Sequence, residues 1–121
     1  MDIPSSIAIS KRVRDQFQTI KNKTGVTINV LSRIAIALAM ESGASVREIT
    51  RSDAGGQTLS RDLMFGEHVA VYDALIRQFM HDNSVDLPVG QVIAAFIEIG
   101  AHKMGHCRSM EDLCALSASA G

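Results

Sequence analysis

Two histidines four residues apart, His102 and His106, followed at once by Cys107, are the residues of this chain best spaced for metal chemistry. On a continuous helix, side chains at i and i+4 point the same way, so both imidazoles and the thiol could face one zinc ion. A closed zinc site needs four ligands, no fourth is at hand, and Gly105 interrupts the helix that would align the pair. Histidines in a last helical turn also interact favourably with its negative end, so the structural reading outweighs the metal one and no metal is expected. Cys107 and Cys114 read as small core hydrophobes or free thiols. Asp62, Glu67, Asp73, Glu98, Glu111 and Asp112 are numerous, yet no pair is locked beside a histidine or nucleophile, so their expected role is solvated surface and helix capping. Phosphate-cradling, dinucleotide-binding, metalloprotease and nucleophile-elbow motifs are absent from the sequence. The expectation is a protein without catalytic residues or cofactors.

The second class of chemistry is electrostatic. Residues 1–51 hold eight basic side chains against four acidic ones, a net of +4, whereas the remainder holds four against nine, a net of −5. The overall charge of −1 hides this asymmetry. Lys11, Arg12 and Arg14 precede Lys21 and Lys23 on one predicted helix, and Arg33 lies on the next. Several cations on one face can displace counterions from a phosphate backbone, which gives affinity without sequence choice. These six residues are the candidate DNA contacts. Lys21 and Lys23 also suit the negative end of their own helix, the plainer reading of the same charges.

The 121 residues suit a single domain, and 46% hydrophobic with 21% charged residues and two prolines is a globular composition. No segment offers about 18 uninterrupted apolar residues, and the N-terminal charges stand in the wrong order for a signal peptide, so no membrane is expected. Two closely spaced cysteines do not resemble a secreted disulfide framework, which makes the cytoplasm the expected compartment.

The elements that must position these residues read as mainly helical. Ser6 to Ser10 alternate like a short strand, with Ile7 and Ile9 inward and Ser6, Ala8 and Ser10 outward. Ser10 is a suitable N-cap for a helix that places Val13, Phe17 and Ile20 on one face and ends at Gly25. Thr27 caps a second helix, apolar on every side from Ile34 to Met40. Such a helix belongs at the centre of a fold or in a subunit interface, with Ile34, Ile36, Leu38 and Met40 as its core or interface residues. Residues 43–60 read as a loop with at most one helical turn. A third helix repeats Val69, Tyr72, Leu75, Ile76 and Phe79. Asn83 to Pro88 break the chain, and a fourth helix aligns Val92, Ile93, Phe96, Ile97 and Gly100, small at Ala94, Ala95 and Gly100 for close approach. Ser109 and Asp112 are spaced to cap a short last helix. The expected organisation is one compact domain, basic over 1–51, acidic and helical over 52–116, and frayed over 117–121.

Strand, helix, helix is also the order of ribbon-helix-helix repressors, in which a dimeric strand pair reads the major groove. Ser6, Ala8 and Ser10 are too short for bidentate base contacts, and four Phe with one Tyr are few for base stacking. Backbone contact to duplex DNA is the better expectation.

Two blocks carry a closer likeness. Lys21-Asn-Lys-Thr-Gly-Val-Thr-Ile-Asn-Val-Leu-Ser-Arg-Ile-Ala35 runs on to Leu38 and Glu41, and Leu63-Met-Phe-Gly-Glu67 is followed by Tyr72-Asp-Ala-Leu-Ile-Arg-Gln78. With the apolar helix before Gly105, they make residues 5–105 resemble the DndE family, the small subunit of the DNA sulfur modification (phosphorothioation) machinery. The resemblance implies a mainly helical homo-oligomer, a tetramer, that associates with DNA, nicked duplex included, beside separate sulfur-transfer and ATP-using proteins. The function expected is that of a non-catalytic DNA-binding subunit, whose assembly multiplies the basic face. The rivals are a ribbon-helix-helix repressor and a protein scaffold without DNA contact.

Overall fold

Alternation at the N-terminus produces a strand, β1 (Ser6–Ile9), with Ile7 and Ile9 buried. Its partner is β2 (Gln57–Ser60), antiparallel, in the register Ser6↔Ser60, Ile7↔Leu59, Ala8↔Thr58 and Ile9↔Gln57. The computed structural model describes residues 3–43, 57–105, 109, 111, 112 and 115. Residues 57–60, read from sequence as loop, are therefore a strand. With only Leu59 apolar among four residues, β2 has no periodicity of its own, and its conformation comes from pairing with a distant segment.

Ser10 ends β1 and caps α1 (Lys11–Thr24), accepting a hydrogen bond from the Val13 N–H at 3.2 Å. Ser10 is buried in this role, which corrects its placement among the outward strand residues. Val13, Phe17 and Ile20 form the buried face of α1, as their spacing predicts. Gly25 closes the helix at φ 79°, a left-handed conformation that costs a residue with a Cβ roughly 1–2 kcal/mol. Its N–H donates to the Lys21 carbonyl at 2.8 Å. Thr27 then caps α2 (Ile28–Ser42), whose axis is bent by 113° from that of α1.

Of the four α2 residues expected in the core or an interface, Ile36 and Leu38 are buried, while Ile34 and Met40 are half-buried against the same core. Ala37 is exposed, so one line of the helix faces outward. Beyond β2, Ser60 caps the short α3 (Arg61–Phe65), and a 3-10 turn over Gly66–His68 leads into α4 (Val69–Asp82). Val69 and Ile76 are buried and Tyr72 and Phe79 half-buried, as expected. Leu75, expected on the same face, is 50% exposed, because the buried stripe of α4 runs through Asp73 instead. Phe65 stacks on Tyr72 at 4.5 Å, and Phe79 meets Phe96 in a T-shaped pair at 5.0 Å. Such pairs add about 0.5–1.5 kcal/mol each beyond area burial.

The centre of the fold is α5 (Val89–Lys103). The predicted face of Val92, Ile93, Phe96, Ile97 and Gly100 is buried, and so are Val89, Ala94, Ala95, Ile99 and Ala101. At Gly100 the backbone of α2 comes so close that a Cβ would lie 2.1 Å from the Ala35 carbonyl oxygen and 2.3 Å from the Ala35 Cα. No side chain at residue 100 can yield to relieve that overlap, because both partners are main chain. Ser109 caps the following turn, its hydroxyl accepting from the Asp112 N–H at 3.2 Å. Among the described residues, no single helix is long and apolar enough to cross a membrane.

Gly100→Ala is expected to lower stability by about 2–3 kcal/mol or more, the upper range for overpacking against backbone. Urea unfolding checks this, and an unchanged midpoint would mean that α2 and α5 can separate at little cost.

Candidate nucleic-acid interface

Five of the six candidate cations lie on α1, where 100° per residue fixes their directions. With Val13, Phe17 and Ile20 inward, Arg14 and Lys21 flank one side of the exposed face and Arg12 and Lys23 flank the other, with Lys11 between them. The basic side of α1 is thus a pair of edges, and Gln16 belongs with Arg12 and Lys23. That second edge runs beside α5: Arg12 Nη2 forms an ion pair with Glu98 Oε2 at 2.7 Å, and one turn on Gln16 Nε2 donates to the Ala101 carbonyl.

Arg14 on the opposite edge bonds to Asp15, its Nη2 at 3.0 Å and its Nε at 3.2 Å from Oδ1. Lys21 and Lys23 project from the last turn of α1 and are exposed, and Arg33 is partly exposed on α2. None of these three forms an ion pair with a described residue. They stand near the corner where α1 gives way to α2, whose first turn holds no acidic side chain. The positive end of α2 therefore adds to the local potential, while Lys21 and Lys23 also offset the negative end of α1.

Two carboxylates expected to be solvated are not. Glu98 is 16% exposed beneath Arg12, and Asp73 is 9% exposed, 3.5 Å from Arg77 one turn along α4. The Asp73–Arg77 pair has the i,i+4 spacing that sequence can show, whereas nothing in the spacing of residues 12 and 98 signals their contact. His102 of the candidate metal cluster is exposed, and His106, Cys107 and Cys114 lie outside the described residues. Among the described residues, no group of three or more potential ligands could hold a metal ion.

At β1, Ser6 is exposed and Ala8 half-buried beside a shallow cavity of about 330 Å³, whose other wall is the start of α5 from Pro88 to Ala94. The strand partner that a ribbon-helix-helix protein takes from a second protomer is supplied here by β2 of the same chain.

Residues 6–112 match the family described as DNA sulphur modification protein DndE. The chain belongs to the DndE family. The fold agrees. The crystal structure of DndE from Escherichia coli B7A, involved in DNA phosphorothioation modification, superposes with a TM-score of 0.70 at 22% identity, covering 84% of this chain and 97% of that one. A DndE mutant carrying glycine-to-lysine substitutions, also involved in DNA phosphorothioation, superposes at 0.67 with 20% identity, covering 84% and 98%. Among curated proteins, none matches the sequence. DndE membership puts the chain in DNA sulfur modification.

Because Arg12 is 60% exposed, its pair with Glu98 is screened by solvent. Glu98→Gln is expected to change unfolding free energy by less than about 1 kcal/mol, since the Gln16 bond to α5 remains. A chemical denaturation curve displaced by several kcal/mol would show that the ion pair anchors α1 to α5.

Proposed function

We propose that this chain is a non-catalytic, DNA-facing subunit of the DNA phosphorothioation machinery, which holds duplex DNA, intact or nicked, by its phosphate backbone. The observation that carries this reading is the set of Lys21, Lys23 and Arg33, accessible cations without a carboxylate partner among the described residues. A structural cation is usually answered by a nearby anion, as Arg12 is by Glu98 and Arg14 by Asp15. Cations left facing solvent can replace the counterions condensed on a phosphate backbone, whose release drives association.

Lys11, Arg12 and Arg14 enlarge the field around this corner, with Arg12 and Arg14 partly neutralised by their carboxylates. One protomer then offers only a few phosphate contacts, too few for tight binding at cytoplasmic salt. Assembly into a homo-oligomer, a tetramer in this proposal, presents several copies of the corner to one duplex and raises avidity without new contacts. The half-buried Ile34 and Met40 of α2 are available to such an assembly. Other proteins of the sulfur-modification complex supply the sulfur-transfer and ATP-dependent steps, in the cytoplasm.

Neutralising Lys21, Lys23 and Arg33 together by alanine is expected to weaken duplex binding at every sequence tested. It should also flatten the dependence of log K on log salt by about one per lost contact. Fluorescence anisotropy with intact and nicked duplexes at two salt concentrations measures both quantities. Duplex affinity that is absent in the parent protein, or indifferent to salt, would favour a scaffold whose basic face meets an acidic protein surface.

A further inference from the structure

Large apolar side chains scattered singly over a surface are ordinary, but a group of them rimmed by polar residues marks a contact with another molecule. Leu63, Val71 and Leu75 are 72%, 54% and 50% exposed, and all three belong to α3 and α4. Among the described residues, they are the large hydrophobics that stand mostly in solvent. α4 buries Val69, Asp73 and Ile76, so at 100° per residue its opposite side carries Val71, Ala74, Leu75 and Gln78, each exposed. The stripe stays within about 60° of Val71, and none of the six candidate cations lies on it.

A carboxylate brackets each end of this stripe. Glu67, in the turn before α4, is 89% exposed, with His68 Nε2 3.8 Å from its Oε1. Asp82, the last residue of α4, is exposed, accepts a hydrogen bond from Gln78 Nε2 at 2.8 Å and forms no ion pair with a described residue. Fifteen residues separate the two, about 22 Å of helix. Arg77 is turned about 120° from Val71 and stands 3.5 Å from Asp73, away from the stripe. These ends decide against a second copy of the chain as the occupant. Antiparallel packing of two such stripes sets Val71 opposite Gln78 and therefore Glu67 opposite Asp82, whereas parallel packing sets each carboxylate opposite its own equivalent. Both arrangements bring like charges together, which disfavours association.

We infer that the outer face of α4 docks an amphipathic helix of a partner protein, whose apolar ridge covers Val71, Ala74 and Leu75 and whose basic residues, about four turns apart, meet Glu67 and Asp82. The inference goes beyond the DNA reading, since it uses a helix that carries none of the cations on which that reading stands. Val71 and Leu75, on successive turns, are the apolar anchors, and the short side chain of Ala74 between them leaves a groove for a ridge of the incoming helix. The carboxylates at the rim select a basic partner over an acidic one and set its register along α4.

The probe is a fluorescein-labelled amphipathic helical peptide of about 18 residues, with a leucine stripe bracketed by lysines, and its control carries glutamates in place of those lysines. Both are titrated by anisotropy, without DNA, against the full-length protein, Val71→Ser/Leu75→Ser and Glu67→Lys/Asp82→Lys, each well below its thermal midpoint. The parent is expected to bind the lysine peptide roughly threefold to tenfold more tightly than the glutamate peptide, and Glu67→Lys/Asp82→Lys to reverse that preference. Val71→Ser/Leu75→Ser should lose roughly tenfold or more in affinity for the lysine peptide. No binding of the lysine peptide by the parent, equal binding of the two peptides, or unchanged affinity in Val71→Ser/Leu75→Ser overturns the inference. Sedimentation of the same proteins tests the other occupant: if Val71→Ser/Leu75→Ser lowers the mass of the parent assembly, the face is a contact between copies and the inference falls. The DNA reading is untouched by either result, because duplex is absent from both measurements.

Discussion

Where α5 crosses α2, main chain lies against main chain. Hydrogen at the Cα of Gly100 is all that separates α5 from the backbone of Ala35, and every larger residue would occupy space already filled by a carbonyl oxygen. Close approach matters because dispersion and apolar burial fall off within fractions of an ångström, so two helices held near contact pack their flanking side chains at crystal-like density. Leu31, Ile36 and Ala39 from one helix and Val92, Ile93, Phe96 and Ile97 from the other complete the core around that crossing. α1 packs on this core through Val13, Phe17 and Ile20, which determines the direction in which its terminal lysines project, while Arg12 and Gln16 reach α5 along one edge.

Much of this arrangement could be read from single residues with local effects. Ser10 and Thr27 accept hydrogen bonds from the third residue beyond them, Gly25 takes a positive φ, and Val13, Phe17 and Ile20 share a face, because each depends on neighbours within one turn. Gly100 was legible as a point of close approach, since a glycine amid apolar helix positions otherwise only weakens the helix. What escaped was non-local. β2 is extended because β1 lies beside it, and a segment with a single apolar residue has no signal of its own. Leu75 fits the helical period yet faces outward, since a spacing rule identifies a stripe but not its edges. The six candidate cations were all recognisable as basic. That Arg12, Arg14, Lys21 and Lys23 divide between two edges of α1, and that Arg12 and Arg14 carry carboxylate partners while Lys21, Lys23 and Arg33 have none among the described residues, depends on the packing of α5 and on rotamers.

Charge divided by position in the sequence is a poor guide to charge divided in space. The N-terminal part is basic and the remainder acidic, yet Glu98 of the acidic part lies beneath Arg12 of the basic part. His102 and Lys103, counted within the acidic part, close the last turn of α5 as Lys21 and Lys23 close that of α1. A helix that traverses the core delivers its two ends to different electrostatic surroundings, and no sum over a continuous segment registers that.

The crossing at residues 35 and 100 also orders events in time. During synthesis the apolar helix around Ala35 leaves the ribosome well before the glycine that receives it, and β1 likewise waits for residues 57–60. A nascent chain can form local helical turns but has no complement for its greasiest surface until α5 emerges, so the cooperative core assembles late in translation or after it. In that interval the chain is most in need of a chaperone, and truncation before α5 leaves α2 without the helix on which it packs most extensively.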